Sequence, residues 1–155
     1  MNPISISNFE EFEAYLGKEL GASDYFQITQ TQINCFAEAT LDHQWIHTDP
    51  IRAKAEGGFG NTIAHGYLTL SIVPFLWEQI VQVNNLKMMI NYGIENLRFA
   101  QAVTVDSEVR LVASLKNINN LRGTIKAEVE VKLEIKDQKK PAFAGLLIFL
   151  YHFKD

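Results

Sequence analysis

One cysteine, Cys35, is all the chain has, so no disulfide can form within it and nothing in its thiol content calls for an oxidising compartment. Basic clusters are missing as well. Fourteen Lys and Arg stand against eighteen Asp and Glu, the formal net charge is −4, and no basic run exceeds Lys139-Lys140. A phosphate backbone would find little to hold, which argues against a nucleic-acid partner. Long hydrophobic runs are also scarce. Outside the middle of the chain the longest is FAGLLIFLYH, about ten residues, too short to span a bilayer as a helix. The opening MNPISISNFEEFEAYLGKEL has no basic start before an apolar stretch and does not read as a signal peptide. The expectation is a cytoplasmic protein with no membrane association.

What is present suits a folded domain. The 155 residues are 47% apolar and 21% charged, and a chain of this length removes roughly 68–70% of its unfolded surface from water, so one domain over 1–155 is expected. Ser7-x-x-Glu10 reads as a capping box, after which Phe9, Phe12, Tyr15 and Leu16 form the apolar stripe of a helix ending near Gly21. DYFQIT (24–29) reads as a short strand. Thr29-x-x-Gln32 repeats the capping signature before a helix carrying Ile33, Phe36 and Ala37 to about Leu41. TDPIRAKAEGGFG (48–60) reads as a loop with one helical turn. NTIAHGYLTLSIVPFLWEQIVQ then gives a helix apolar on almost every face between Ala64 and Val81, hence buried, with Pro74 interrupting it. The second half changes period. IKAEVEVKLEIK (125–136) alternates strictly, a long antiparallel strand with one wet face. SEVRLVASLKNI and PAFAGLLIFLYHF flank it as strands across the turn signals NINN and KDQKK, and MINYGIENLRF supplies an earlier strand. The expected class is α+β: a curved antiparallel β-sheet wrapped around a long central apolar helix.

Two strings carry chemistry. In LDHQWIHTDP (41–50) the histidines are four apart, as in the zinc-protease string HExxH, but Gln44 stands where the catalytic glutamate would and cannot accept a proton. Pro50 also disfavours helix at Asp49, so a helix through His43 and His47 would fail at its second ligand; no metal is expected. Asp42 and His47 could instead share one water, the carboxylate orienting it and the imidazole moving its proton near neutral pH. On this string alone a second reading stands: Asp42 ends a turn and His47 is a satisfied, half-buried histidine. In GNTIAHGYLTLS (60–71) a polar segment leads into the apolar helix, leaving free N–H groups that stabilise charge on an oxygen. Gly66 would let a ligand approach the backbone there, or would merely relieve packing. Arg98 is expected to pair with Glu95 or another surface acid, although a phosphate is the other partner it could serve. Tyr67, Phe75 and Trp77 read as core, Cys35 lacks a base to activate it, and His152 reads as structural.

DHQWIHTDP, FGNTIAHGYLTLS and NYGIENLRFAQAV together resemble the MaoC-like and NodN-like dehydratases of the hotdog fold, which include the (R)-specific enoyl-CoA hydratases. The resemblance covers roughly residues 22–153. It implies a homodimer of hotdog subunits binding an acyl-CoA thioester in a tunnel near the subunit boundary, in fatty acid metabolism, with no cofactor beyond the coenzyme A of the substrate. Carried over by position, Asp42 and His47 are the catalytic pair and the Gly66 amide holds the thioester oxygen; Gln44, Asn61, Ala64, His65 and Tyr67 would line the substrate site. The chain has Gln44-Trp45, as in the NodN-like branch, where many eukaryotic and polyester-linked members have Asn-Pro. The implied reaction is reversible hydration of trans-2-enoyl-CoA to (R)-3-hydroxyacyl-CoA. Its rivals are a dehydratase acting on 3-hydroxyacyl groups of acyl carrier protein and a non-catalytic thioester binder.

Overall fold

The structure, a computed structural model, describes residues 3–154. Its frame is a six-stranded antiparallel sheet in the order β2 (Glu19–Ala22), β6 (Glu108–Leu121), β7 (Thr124–Ile135), β8 (Phe143–Phe153), β5 (Leu86–Phe99), with β3 (Phe26–Gln27) also pairing β6. A small parallel pair joins β1 (Ile4–Ile6) to β4 (Val81–Val83). The alternation in β7 does what its pattern implies: Ile125, Ala127, Val129, Val131, Leu133 and Ile135 are all buried. Each large aliphatic among them contributes about 1.5–3 kcal/mol by leaving water. They meet the inner faces of β6 and β8 and the helical residues Leu68, Val73, Leu76 and Trp77 in one core.

Several boundaries differ from expectation. The first helix, α1, is only Phe9–Glu13, capped by Asn8 rather than Ser7. Gly17, at φ 76°, turns the chain away, and residues 19–22 are taken up as β2 by the edge of β6. The Thr29–Gln32 capping box is present and starts α2 (Gln30–Thr40). Helical structure inside 45–56 exceeds the single turn expected: α3 is Trp45–Thr48, and α4 is Pro50–Glu56, started by Asp49 as cap and Pro50 in its first turn. The long apolar helix is two pieces, α5 (Gly66–Ser71) and α6 (Val73–Trp77), and it stops well short of Val81. The break falls at Ile72, where Pro74 has no N–H to offer the Leu70 carbonyl. Nor is it enclosed on every side: Tyr67 and Phe75, expected in the core, are 71% and 51% exposed, whereas Trp77 is 1% exposed. The turn expected at NINN lies further on, at Arg122 and Gly123, both at positive φ.

The end of β5 matters for the site. Asn96 has φ 52° and the β5–β8 register slips between Glu95 and Arg98, a bulge that lays Leu97 against Gly145 of β8. Arg98 has no ion pair among the described residues, contrary to the expected partner, and lines a surface cavity with Asn96 and Lys132. Phe99, the last strand residue, packs over Gly66. No described helix is long and apolar enough to cross a membrane.

Candidate active site

The site forms where α2 hands the chain to α3. Leu41 ends α2 in the left-handed region, φ 63°, and the reversal leads directly into Asp42. Helix α3 has four residues and would not persist alone. It is held from two sides: Gln30 of α2 donates to the His47 carbonyl at 2.8 Å, and the Ile63 amide donates to the Ile46 carbonyl at 3.0 Å. The extended segment 62–64 is itself clipped to the residues after β5, Ala64 N–H to Val103 O at 2.7 Å and Val105 N–H to Thr62 O at 2.9 Å.

That clip fixes the imidazole. The His47 Nδ1–H donates to the Ile63 carbonyl at 2.6 Å, which assigns the proton to Nδ1 and leaves Nε2 with its lone pair. Burial pushes the His47 pKa below its ordinary 6.5; the Ile63 hydrogen bond opposes this, the neighbouring His65 reinforces it, and Asp42 acts weakly against it. The half-buried Asp42 accepts from the Gln44 amide through one carboxylate oxygen at 3.4 Å, a long turn contact that leaves its other oxygen available. Asp42 thus closes a turn, as one reading of the sequence had it, and among the described residues its carboxylate makes no hydrogen bond to His47. One ligand-type atom each from Asp42, His47 and His65 lie within 4.8 Å of one another.

Such a trio invites a metal, and the geometry argues against it. The His47 and His65 rings are stacked, centroids 3.8 Å apart and 24° between planes. An imidazole nitrogen binds zinc in the ring plane at about 2.0–2.1 Å, so two nearly parallel planes this far apart cannot aim both lone pairs at one ion. His43 precedes α3 and pairs loosely with Glu38 at 3.6 Å.

Gly66 opens α5, behind a His65 that makes no side-chain cap, so the first amides of the helix have no partner within it. Thr69 donates to the Gly66 carbonyl at 2.6 Å. A cavity of ≈370 Å³ borders His47, Ala64, Gly66, Thr69 and Phe99. A Cβ on Gly66 would lie 3.2 Å from the Phe99 ring, so the missing side chain serves close approach. The predicted residues are thus distributed unevenly. His47, Ala64 and Gly66 line the cavity; Asp42 does not, although a carboxylate oxygen lies within 4.8 Å of a His47 ring nitrogen. His65 is buried behind them at 2% exposure. Gln44 is the exposed backbone cap of α3, the exposed Asn61 accepts from the Thr62 amide, and Tyr67 points outward, edge-on to Phe99 at 6.0 Å. Gln30, Thr69 and Phe99 belong to the site and were not singled out from sequence; only the position of Thr69 one turn after Gly66 could have hinted at it.

Residues 11–136 match the family described as MaoC like domain. Over 142 residues the chain is 44% identical to 3-hydroxyacyl-thioester dehydratase Z of Mycobacterium tuberculosis, covering 91% of this chain and 93% of that protein. It is 37% identical over 155 residues to nodulation protein N of Rhizobium meliloti, covering 99% and 94% respectively. Among solved structures, the (R)-hydratase from A. caviae involved in PHA biosynthesis has the same fold at a TM-score of 0.70 and 22% identity, over 86% of this chain and 94% of that one.

Proposed function

The chain belongs to the MaoC-like domain family of the hotdog fold, and on that premise we propose that it is an (R)-specific enoyl-CoA hydratase, reversibly adding water to trans-2-enoyl-CoA. As a member it is a lyase that adds water to, or removes it from, acyl thioesters. The observation that carries the finer reading is a His47 whose Nδ1–H is held by the Ile63 carbonyl, leaving Nε2 free beside the Gly66 cavity, with a carboxylate oxygen of Asp42 within 4.8 Å of a ring nitrogen.

In this reading the thioester oxygen lies against the Gly66 amide, which draws electrons from the conjugated double bond and makes C3 electrophilic; such a donor contributes about 2.7–4 kcal/mol in other enzymes. A water held by Asp42 gives its proton to His47 Nε2 as its oxygen bonds to C3. The π electrons pass to the thioester oxygen as an enolate. Return of the proton from His47 to C2 collapses the enolate and restores the pair, so atoms and charge balance. An apolar cavity of ≈280 Å³ further along the same helices, bordered by Leu70, Pro74, Ile94 and Phe149, supports room for an acyl chain. The exposed Ile94 of the edge strand β5 and the exposed Tyr67, edge-on to Phe99 at the end of that strand, support a second copy of the chain as the other wall.

Mixing the protein with crotonyl-CoA and following loss of the conjugated-thioester absorbance tests this. Turnover is expected, falling at least 10²-fold in Asp42→Asn and in His47→Gln, an order of magnitude set by the loss of general-base catalysis. Wild-type rates in both folded variants would remove the pair from the reaction. A 44% identical relative carries a name that specifies thioester rather than carrier, so the same assay with crotonyl-acyl carrier protein decides between the two carriers: faster turnover there would replace the CoA reading by the dehydratase one.

A further inference from the structure

One buried side chain at the site has no part in the reaction just described. His65 is 2% exposed, and its Nε2–H donates to the main-chain carbonyl of Asp42 at 2.9 Å. Its ring lies flat on that of His47 and meets Phe36 of α2 at 5.0 Å between centroids. The other nitrogen, Nδ1, is buried without a hydrogen-bond partner. An unpaired buried acceptor costs about 1–3 kcal/mol, and a phenyl ring would fill the same space without that penalty. Packing therefore does not account for a histidine here.

We propose that His65 is a positioning residue: its Nε2–H pins the main chain of Asp42 while its ring face sets the plane of His47, so that carboxylate and imidazole converge on one water. The ring thus touches both members of the pair, the main chain of Asp42 in the turn after α2 and the side chain of His47 on the short α3. The same stacking places a second imidazole face to face with the base. The titratable groups bearing on His47 are Asp42, from the turn, and His65, at the start of α5; the α2 side chain that touches the His47 main chain, Gln30, is neutral. His65 opposes a proton on His47, and Asp42 favours one.

What the pair catalyses rests on the hydratase reading; the positioning itself does not, and the experiment separates them. His65→Gln keeps an N–H for Asp42 but removes the ring, whereas His65→Phe keeps the ring and removes the N–H. Nitrogen-detected NMR titration of the imidazoles is expected to show wild-type His47 protonated on Nδ1 and His65 on Nε2, with His47 titrating at higher pH in His65→Gln. Toward crotonyl-CoA, His65→Phe is expected to lose kcat on the order of 10²-fold, the scale of a misplacement of about 1 Å, with KM changed only a few-fold; His65→Gln should retain more. An unmoved His47 titration in His65→Gln overturns the proposal whether or not the chain hydrates anything, and so does wild-type kcat in a folded His65→Phe. A shifted titration in a wild type that never turns over enoyl thioesters supports the positioning role and sinks the hydratase reading alone. If His65→Phe fails to fold by near-UV circular dichroism, the glutamine variant decides.

Discussion

At the scale of single residues the site depends on one imidazole remaining neutral. Folding lowers the pKa of His47 from 6.5, mainly by burial. The unfolded chain therefore takes up a proton at this position before the folded one does, and stability climbs with pH across that window. The contribution is complete above about 6.5 and is lost as pH falls through the folded value. Melting temperature measured from pH 7.5 down to 5 should fall less steeply in His47→Gln than in wild type; equal slopes would mean the histidine is not buried neutral. The acid limb of kcat/KM should lie below 6.5 for the same reason, since the base is unprotonated further into acid. Asp42, His47 and Gly66 were legible as candidates because residue type and spacing carried the chemistry. Gln30 and the Ile63 carbonyl were not: one is an ordinary polar residue at a helix start, and the other is a main-chain atom with no side-chain signature.

At the scale of elements, strict patterns were readable and competition for edges was not. Strand β7 followed from its alternation, and α2 from its capping box and stripe. Helix α1 did not reach its expected length, because its stripe competes with β6 for residues 19–22 and Gly17 allows the chain to turn. The helix from 64 onward looked apolar on all sides, which sequence alone equates with burial; its open face became visible only in the folded chain. The bulge in β5 was equally hidden, because it requires Leu97, just after the positive φ of Asn96, and Gly145 to meet across two strands. A Cβ at Gly145 would come within 2.7 Å of the Leu97 Cα, a main-chain atom that cannot swing aside. Gly145→Ala should therefore destabilise the fold by about 1–3 kcal/mol, the cost of overpacking, and loosen β5 from β8. Urea denaturation checks this, and an unchanged midpoint would mean that the bulge yields freely.

For the whole molecule the informative feature is an uncovered border. Strand β5 runs fourteen residues along one edge of the sheet, with Met88, Ile90, Tyr92, Ile94 and Phe99 all more than 40% exposed. Long apolar edges recruit further strands unless covered. A second copy of the chain is the proposed cover, and Ile94→Asp should shift sedimentation toward monomer and reduce hydratase activity in parallel. Unchanged sedimentation would place the subunit contact elsewhere. The anchoring of the base has a separate reach across the fold. The oxygen that orients His47 belongs to a peptide unit, so any amino acid at position 63 would supply it, and its neighbours are fastened to residues 103 and 105. Deuterium uptake at the amides of Ala64 and Val105 should consequently be as slow as in the central strands, tying the readiness of the imidazole to global unfolding rather than to the breathing of a loop.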